Sequence, residues 1–171
     1  MQLQHYIEGK WINPTREEFV QRDASTGVVI GSCSTEGLDF GSILAYGRKM
    51  GGPALRKMSF RERGLMLKKL ALHLNDICKK YYALSYQTGA TKADSWVDIE
   101  GGIGTLFAYA SLRRQLGDQR WCVDGEAARL SKEGTFIGTH VLVPRQGIAV
   151  HIIAFNFPIW GMLEKVAVNL L

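Results

Sequence analysis

The most informative polar side chain in this sequence is that of Asn156, which follows an almost wholly apolar run over 147–155 and precedes Pro158. Such a run is typical of a strand covered on both faces of a parallel α/β sheet, and a proline suits the first turn of a helix. Ligands of these sheets bind beyond the carboxyl ends of the strands. A side-chain amide there donates hydrogen bonds without titrating, which suits stabilisation of an oxyanion. The alternative is that Asn156 caps the helix after it.

Three carboxylates, those of Asp94, Asp98 and Glu100, fall close together on a predicted helix. Asp94 and Asp98 are four residues apart and therefore share one helix face. Together they could bind a metal ion or another cation. The interpretation that we favour is a solvated helix face.

The titratable and nucleophilic side chains elsewhere form no recognisable constellation. His151 lies in the predicted strand beside Asn156, and as a base it would need a hydrogen-bonding partner within reach; we favour a hydrogen-bonded core histidine. Cys33, Cys78 and Cys122 are widely spaced and odd in number, which speaks against a disulfide framework and a zinc site. We interpret them as buried or incidental thiols.

The glycines that follow Glu100 do not form a phosphate-binding fingerprint. In Gly102-Ile103-Gly104 the motif follows no strand, and Phe107 stands where the third glycine would be. We predict that these glycines let two helices pack closely.

The hydrophobic pattern predicts elements that position these residues. A hairpin is expected over 3–13, with Gly9 in its turn, then a polar, turn-like segment over 14–24. Local signals mark some of the helix ends: Gly51-Gly52-Pro53 stops the first helix, a Ser59–Glu62 capping box starts the second, and Gly117 stops the helix over 94–116 before a polar loop. The predicted strands span 25–33, 129–131, 135–143 and 147–155, and the predicted helices span 36–50, about 60–75, 76–87, 94–116 and 158 to the last residue.

One buried strand followed by one helix cannot form a sheet, so we expect the chain to stop inside a fold. The fold class predicted is α/β. The domain expected over 1–171 is a single segment that is incomplete at its C-terminus.

Composition excludes several classes of protein. Hydrophobic residues make up 46% and charged residues 22%, as in globular domains, which excludes a disordered chain, a coiled coil and a collagen-like repeat. The net charge is +5, but the basic residues are spread over helix faces, so we expect no nucleic-acid partner. Glu164-Lys165 interrupts the apolar end, so we expect no membrane span. No secretory signal is recognisable, which favours the cytoplasm.

The run Ile152-Ile153-Ala154-Phe155-Asn156-Phe157-Pro158 resembles the strand–Asn-Phe-Pro–helix signature of the aldehyde dehydrogenase superfamily. Segments 34–39, 87–91 and 94–106 resemble the bifunctional enzymes of phenylacetic acid degradation. These enzymes join a semialdehyde dehydrogenase to a ring-opening hydratase. A semialdehyde dehydrogenase of the aerobic benzoyl-CoA pathway shares much of the pattern. The resemblance covers nearly the whole chain.

The resemblance implies the N-terminal third of an aldehyde dehydrogenase domain, with its hairpin, its helices, and the first strand and helix of a Rossmann-like cofactor domain. It implies oxidation of a small aldehyde, an acyl-CoA semialdehyde of aromatic or phenylacetate catabolism, with NADP or, alternatively, NAD. The full-length enzyme is expected to be a homo-oligomer. The competing interpretation is a truncated or standalone interaction module without catalysis.

The resemblance also assigns residues. Asn156 matches the asparagine whose amide helps to hold the oxyanion, and Ile152, Ala154 and Phe155 match positions whose backbone lies along the nicotinamide cofactor. Trp160 could line the aldehyde tunnel, although we favour core packing. The family's nucleophilic cysteine and general-base glutamate lie downstream of the motif, so we expect these 171 residues alone to be inactive.

Overall fold

The computed structural model describes residues 2–16 and 18–171. Within these ranges, the chain forms three separate two-stranded antiparallel sheets and a set of packed helices, which confirms the α/β class. The strands are β1 (His5–Ile7), β2 (Lys10–Ile12), β3 (Phe19–Arg22), β4 (Val29–Cys33), β5 (Cys122–Arg129) and β6 (Ile137–Leu142). The helices are α1 (Phe40–Tyr46), α2 (Gly52–Lys57), α3 (Phe60–Ile77), α4 (Tyr82–Tyr86), α5 (Lys92–Trp96), α6 (Gly102–Ser111), α7 (Arg113–Leu116) and α8 (Pro158–Leu170).

The first hairpin, β1 with β2, is confirmed. Its turn places Glu8 at φ 52° and Gly9 at φ 81°, and this pair of left-handed residues matches the right-handed twist of the two strands. The prediction of a polar turn over 14–24 is wrong for Phe19–Arg22, which form strand β3. It pairs with β4 over Phe19↔Cys33 to Arg22↔Val29.

The expected stop at Gly51-Gly52-Pro53 is wrong. A π-helical turn over Gly47–Gly51 joins α1 to α2, and Pro53 enters the first turn of α2. Proline is tolerated in the first turn of an α-helix, where its fixed φ is already helical.

The capping box that begins α3 is confirmed. The Ser59 hydroxyl accepts from the Glu62 backbone N–H at 3.2 Å, and the Glu62 carboxylate accepts from the Ser59 N–H at 2.7 Å. Downstream, α5 runs through a π-helical turn (Val97–Gly101) into α6 and α7. The segment ends at Gly117, whose φ is 68°, as predicted.

The core lies where α3, α6 and α8 meet. Its buried apolar side chains come from these helices and from the π-helical turn before α6. They are Leu67, Ala71, Ile99, Ile103, Leu106, Ala110, Leu163 and Ala167. Helix α8 is therefore anchored to the bundle by its own buried face.

Two predictions in the C-terminal half are wrong. Most of the expected polar loop 118–127 belongs to β5, which pairs with β6. Segment 147–155 is not a strand and not buried, since Val150, Ile152 and Phe155 are 75%, 93% and 86% exposed. A strand needs a neighbour for its backbone hydrogen bonds, and none of the strands in the described ranges pairs with 147–155.

No helix within residues 2–16 and 18–171 combines the length and the apolar character needed to cross a membrane.

Two glycines of α6 should respond to alanine in opposite ways. A Cβ on Gly102 would lie 2.9 Å from Trp160 Cα, whereas a Cβ on Gly104 would meet nothing within 4 Å. Gly102→Ala is expected to lower the free energy of unfolding by about 1–3 kcal/mol through overpacking. Gly104→Ala is expected to raise it by about 0.5–1 kcal/mol, because alanine favours a helix. Urea denaturation of both variants measures the difference, and equal effects would contradict the close approach of α6 and α8.

Candidate functional site

The turn 155–157 leads from the exposed segment into α8, and it carries Asn156 on the surface. The residue that immediately precedes α8 is Phe157, and no side chain from the turn caps the helix. The helix-cap alternative for Asn156 is therefore wrong. Among the hydrogen bonds of residues 2–16 and 18–171, none involves the Asn156 side chain, so its amide is available to a ligand.

The start of α8 is capped instead by Asp98, from the π-helical turn before α6. Its Oδ1 accepts from the Trp160 N–H at 2.7 Å and its Oδ2 from the Ile159 N–H at 3.4 Å. The side chain is 1% exposed. Both earlier interpretations of Asp98, a cation ligand and a solvated carboxylate, are wrong, because the carboxylate is buried and its acceptors are taken by a helix N-terminus.

The other two carboxylates have their own partners. Asp94 accepts from the Thr91 hydroxyl at 2.6 Å and from the Thr91 N–H at 3.2 Å, and these hydrogen bonds lower the pKa of Asp94. Glu100 accepts from the Tyr82 hydroxyl at 2.9 Å. Burial, together with Glu100, raises the pKa of Tyr82 to about 12. No cluster of three metal-ligating side chains exists in the described part of the chain.

Gly101 and Gly102 let α6 approach α8, as predicted, but the prediction is wrong for Gly104, where a Cβ would meet nothing within 4 Å. A Cβ on Gly101 would lie 3.1 Å from the Trp160 indole, and one on Gly102 would collide with the Trp160 backbone. The same indole lines a pocket of about 310 Å³ with Val97, Phe157, Gly161 and Glu164. Trp160 therefore packs on the bundle and also borders the space beside the turn.

The segment that precedes Asn156 contacts α8 through Ile153 and through a hydrogen bond between His151 and Asn169. Ile153 packs against α8, where a Cβ on Gly161 would lie 3.1 Å from Ile153 Cγ2. Ile152, Ala154 and Phe155 are exposed. No backbone hydrogen bond is formed by 149–156 with any residue of the described ranges, so these peptide groups are free to bind a ligand.

His151 and the cysteines stand apart from the turn. His151 is exposed, which makes the core interpretation wrong, and its Nε2 accepts from the Asn169 side-chain amide at 2.8 Å. An amide partner neither gives nor takes a proton, so the pair is not an acid–base couple. Cys33, Cys78 and Cys122 are free, half-buried thiols on β4, on the 3₁₀ turn Cys78–Tyr81 and on β5.

The role of Asp98 was not predicted from the sequence. An acidic residue four positions after Asp94 looked like part of a solvated face. The only signal was negative: neither Phe157 nor Pro158 can cap a helix through a side-chain oxygen, so α8 needed a cap from elsewhere.

Comparison with known proteins gives the family. The model of the aldehyde dehydrogenase family matches residues 11–171. The chain is 37% identical over 172 aligned positions to a 3,4-dehydroadipyl-CoA semialdehyde dehydrogenase from Aromatoleum evansii. The alignment covers 100% of this chain and 33% of the relative, so the chain spans about a third of that protein's length. The chain therefore belongs to the aldehyde dehydrogenase family, whose members are oxidoreductases that use NAD(P).

Proposed function

We propose that this chain is the N-terminal segment of a dehydrogenase that oxidises an acyl-CoA semialdehyde of aromatic catabolism to the acid. The observation that carries the proposal is the Asn156 amide, exposed, without a hydrogen bond in the described part of the chain, and placed on the turn that enters α8. The substrate class is taken from the name of the relative, a 3,4-dehydroadipyl-CoA semialdehyde dehydrogenase. Phenylacetate catabolism is the specific setting that we propose.

Asn156 acts, in this proposal, on the oxygen of the aldehyde. When a nucleophile adds to the carbonyl carbon, this oxygen becomes an oxyanion, and a neutral N–H donor stabilises it more than it stabilises the ground state. Trp160 and Phe157 border the adjacent pocket, which suits the apolar chain of a substrate.

The exposed segment fits a nicotinamide cofactor, because its peptide groups have no partner among the described residues. The backbone at Ile152, Ala154 and Phe155 would hold the cofactor, which accepts hydride from the substrate when bound. We propose NADP, with NAD as the alternative. That the complete enzyme is a homo-oligomer and that it lies in the cytoplasm are predictions.

A second candidate function, a non-catalytic interaction module, is favoured by the exposed apolar side chains of Val150, Ile152 and Phe155. Surface of this kind is typical of protein contacts. Turnover by the complete enzyme separates the two functions.

The proposal predicts that the complete enzyme forms reduced cofactor from an acyl-CoA semialdehyde, whereas these 171 residues alone form none. The reason is that the family's nucleophile and general base lie downstream of Asn156, so covalent and general-base catalysis are both missing. Absorbance of reduced nicotinamide, followed with NADP and with NAD, is the measurement. The control is the complete enzyme with the aldehyde omitted.

Turnover by the isolated chain that is unchanged in Asn156→Ala would contradict both the downstream nucleophile and the role of Asn156. A complete enzyme that binds other proteins but oxidises no aldehyde would favour the interaction module.

A further inference from the structure

We propose that Asp98 is a positioning residue that holds the Asn156 turn in the geometry needed to bind the oxyanion. The inference rests on the proposed function, because it acts through Asn156. Asp98 does not touch substrate in this proposal. It acts through the first turn of α8.

The first ground is the hydrogen bonding of Asp98 to α8. The first N–H groups of a helix have no partner inside the helix, and the residue before α8, Phe157, supplies none. Asp98 accepts from two of these groups, on Ile159 and Trp160, across 61 and 62 residues of sequence. A buried carboxylate at a helix N-terminus also interacts favourably with the helix dipole.

The second ground is that the carboxylate sits in a rigid frame. Ile99, the residue after Asp98, is fully buried in the core. Gly102, one turn further on, lies against the Trp160 backbone so closely that a Cβ would collide with it. The two hydrogen bonds and this contact therefore fix the position of the α8 N-terminus, both along the bundle axis and perpendicular to it.

The third ground is the short connection from α8 to Asn156. Only Phe157 separates Asn156 from Pro158, and proline restricts its own φ as well as the conformation of the residue before it. A displacement at the start of α8 is therefore transmitted to Asn156. Misplacement of a catalytic group by about 1 Å can cost on the order of a hundredfold in rate.

The test is a double-mutant cycle in the complete enzyme between Asp98→Asn and Asn156→Ala. The asparagine keeps the size of Asp98 and one acceptor oxygen, but it loses the charge and one of the two acceptors. We expect Asp98→Asn to lower kcat about tenfold, with the KM for the cofactor changed less than about twofold, because the displacement weakens a contact made in the transition state. In the Asn156→Ala background, the same change should leave kcat unaltered, because the group that Asp98 positions is gone.

The matched control is Asp94→Asn. Asp94 lies one helical turn earlier and also accepts hydrogen bonds, but only from Thr91 at the start of its own helix. Asp94→Asn should change kcat by less than about twofold, both in the otherwise unchanged enzyme and in the Asn156→Ala variant. Where Asp98→Asn cannot be purified folded, Asp98→Ser, whose hydroxyl can still accept one N–H, completes the same cycle.

Each outcome of the cycle either supports or overturns the positioning role of Asp98. Loss of kcat with Asp98→Asn alone, absent when Asn156 is replaced by alanine, supports the positioning role. An equal loss in both backgrounds, or lower thermal stability with unchanged kcat, overturns it and leaves Asp98 as a structural cap. If Asn156→Ala itself leaves kcat unchanged, the proposed function of Asn156 fails, which is a different result from failure of the coupling.

Discussion

Replacing Asn156 by alanine in the complete enzyme is expected to lower kcat by on the order of a hundredfold or more, about 3 kcal/mol of transition-state stabilisation. The amide donates to an oxygen that carries full negative charge only during the reaction. Substrate and cofactor binding should therefore change much less than kcat. Steady-state kinetics with the aldehyde and the cofactor varied separately measure both quantities.

Asn156→Asp should be worse than Asn156→Ala, because a carboxylate repels the developing negative charge. Neither variant should change the free energy of unfolding by more than about 0.5 kcal/mol, since Asn156 is exposed and α8 is capped by Asp98. Thermal unfolding beside the kinetics provides the control. Retention of activity in the Asn156→Asp variant would rule out the oxyanion role.

The second large effect concerns association of the chain with itself. Val150, Ile152 and Phe155 expose most of their apolar surface on the same short segment. Covering one side chain of this size contributes roughly 1.5–3 kcal/mol. We expect the purified 171-residue chain to form concentration-dependent oligomers. The double variant Ile152→Asp/Phe155→Asp should shift it toward the monomer by at least about tenfold in concentration, measured by light scattering or analytical ultracentrifugation.

The control is Gln146→Asp, an exposed position on the same connection. It adds a negative charge without removing apolar surface. If it disperses the oligomers as well as the double variant does, association depends on the net charge of +5 and not on the apolar side chains. A chain that is monomeric at every concentration, with a sharp cooperative melt, would show that the exposed segment does not drive association.

Features set by neighbouring residues could be predicted from the sequence. The turn at Gly9, the capping box at Ser59 and the end at Gly117 each depend on a few consecutive positions, and all three are present. The close-packing prediction was correct for Gly101 and Gly102, which lie against Trp160, and wrong for Gly104, which has no neighbour within 4 Å.

Features set by distant partners could not be predicted. The apolar pattern of 147–155 was that of a buried strand, but a pattern records what a segment can bury and not whether a neighbour is there to pair with it. Strand β3 was not predicted for the converse reason. Its own residues do not indicate a strand, and its extended conformation depends on pairing with β4. For Asp98, the helix end that it caps lies 61 residues away in sequence, beyond any local motif.

The cap on α8 also has a consequence for the order of folding. A helix whose cap lies in its own first turn can form that cap as soon as the turn closes. Helix α8 must instead wait until the chain around Asp98 has been built and brought alongside, at the entropic cost of closing a long loop. We therefore expect helix α3 to nucleate earlier than the α8 end that carries the Asn156 turn.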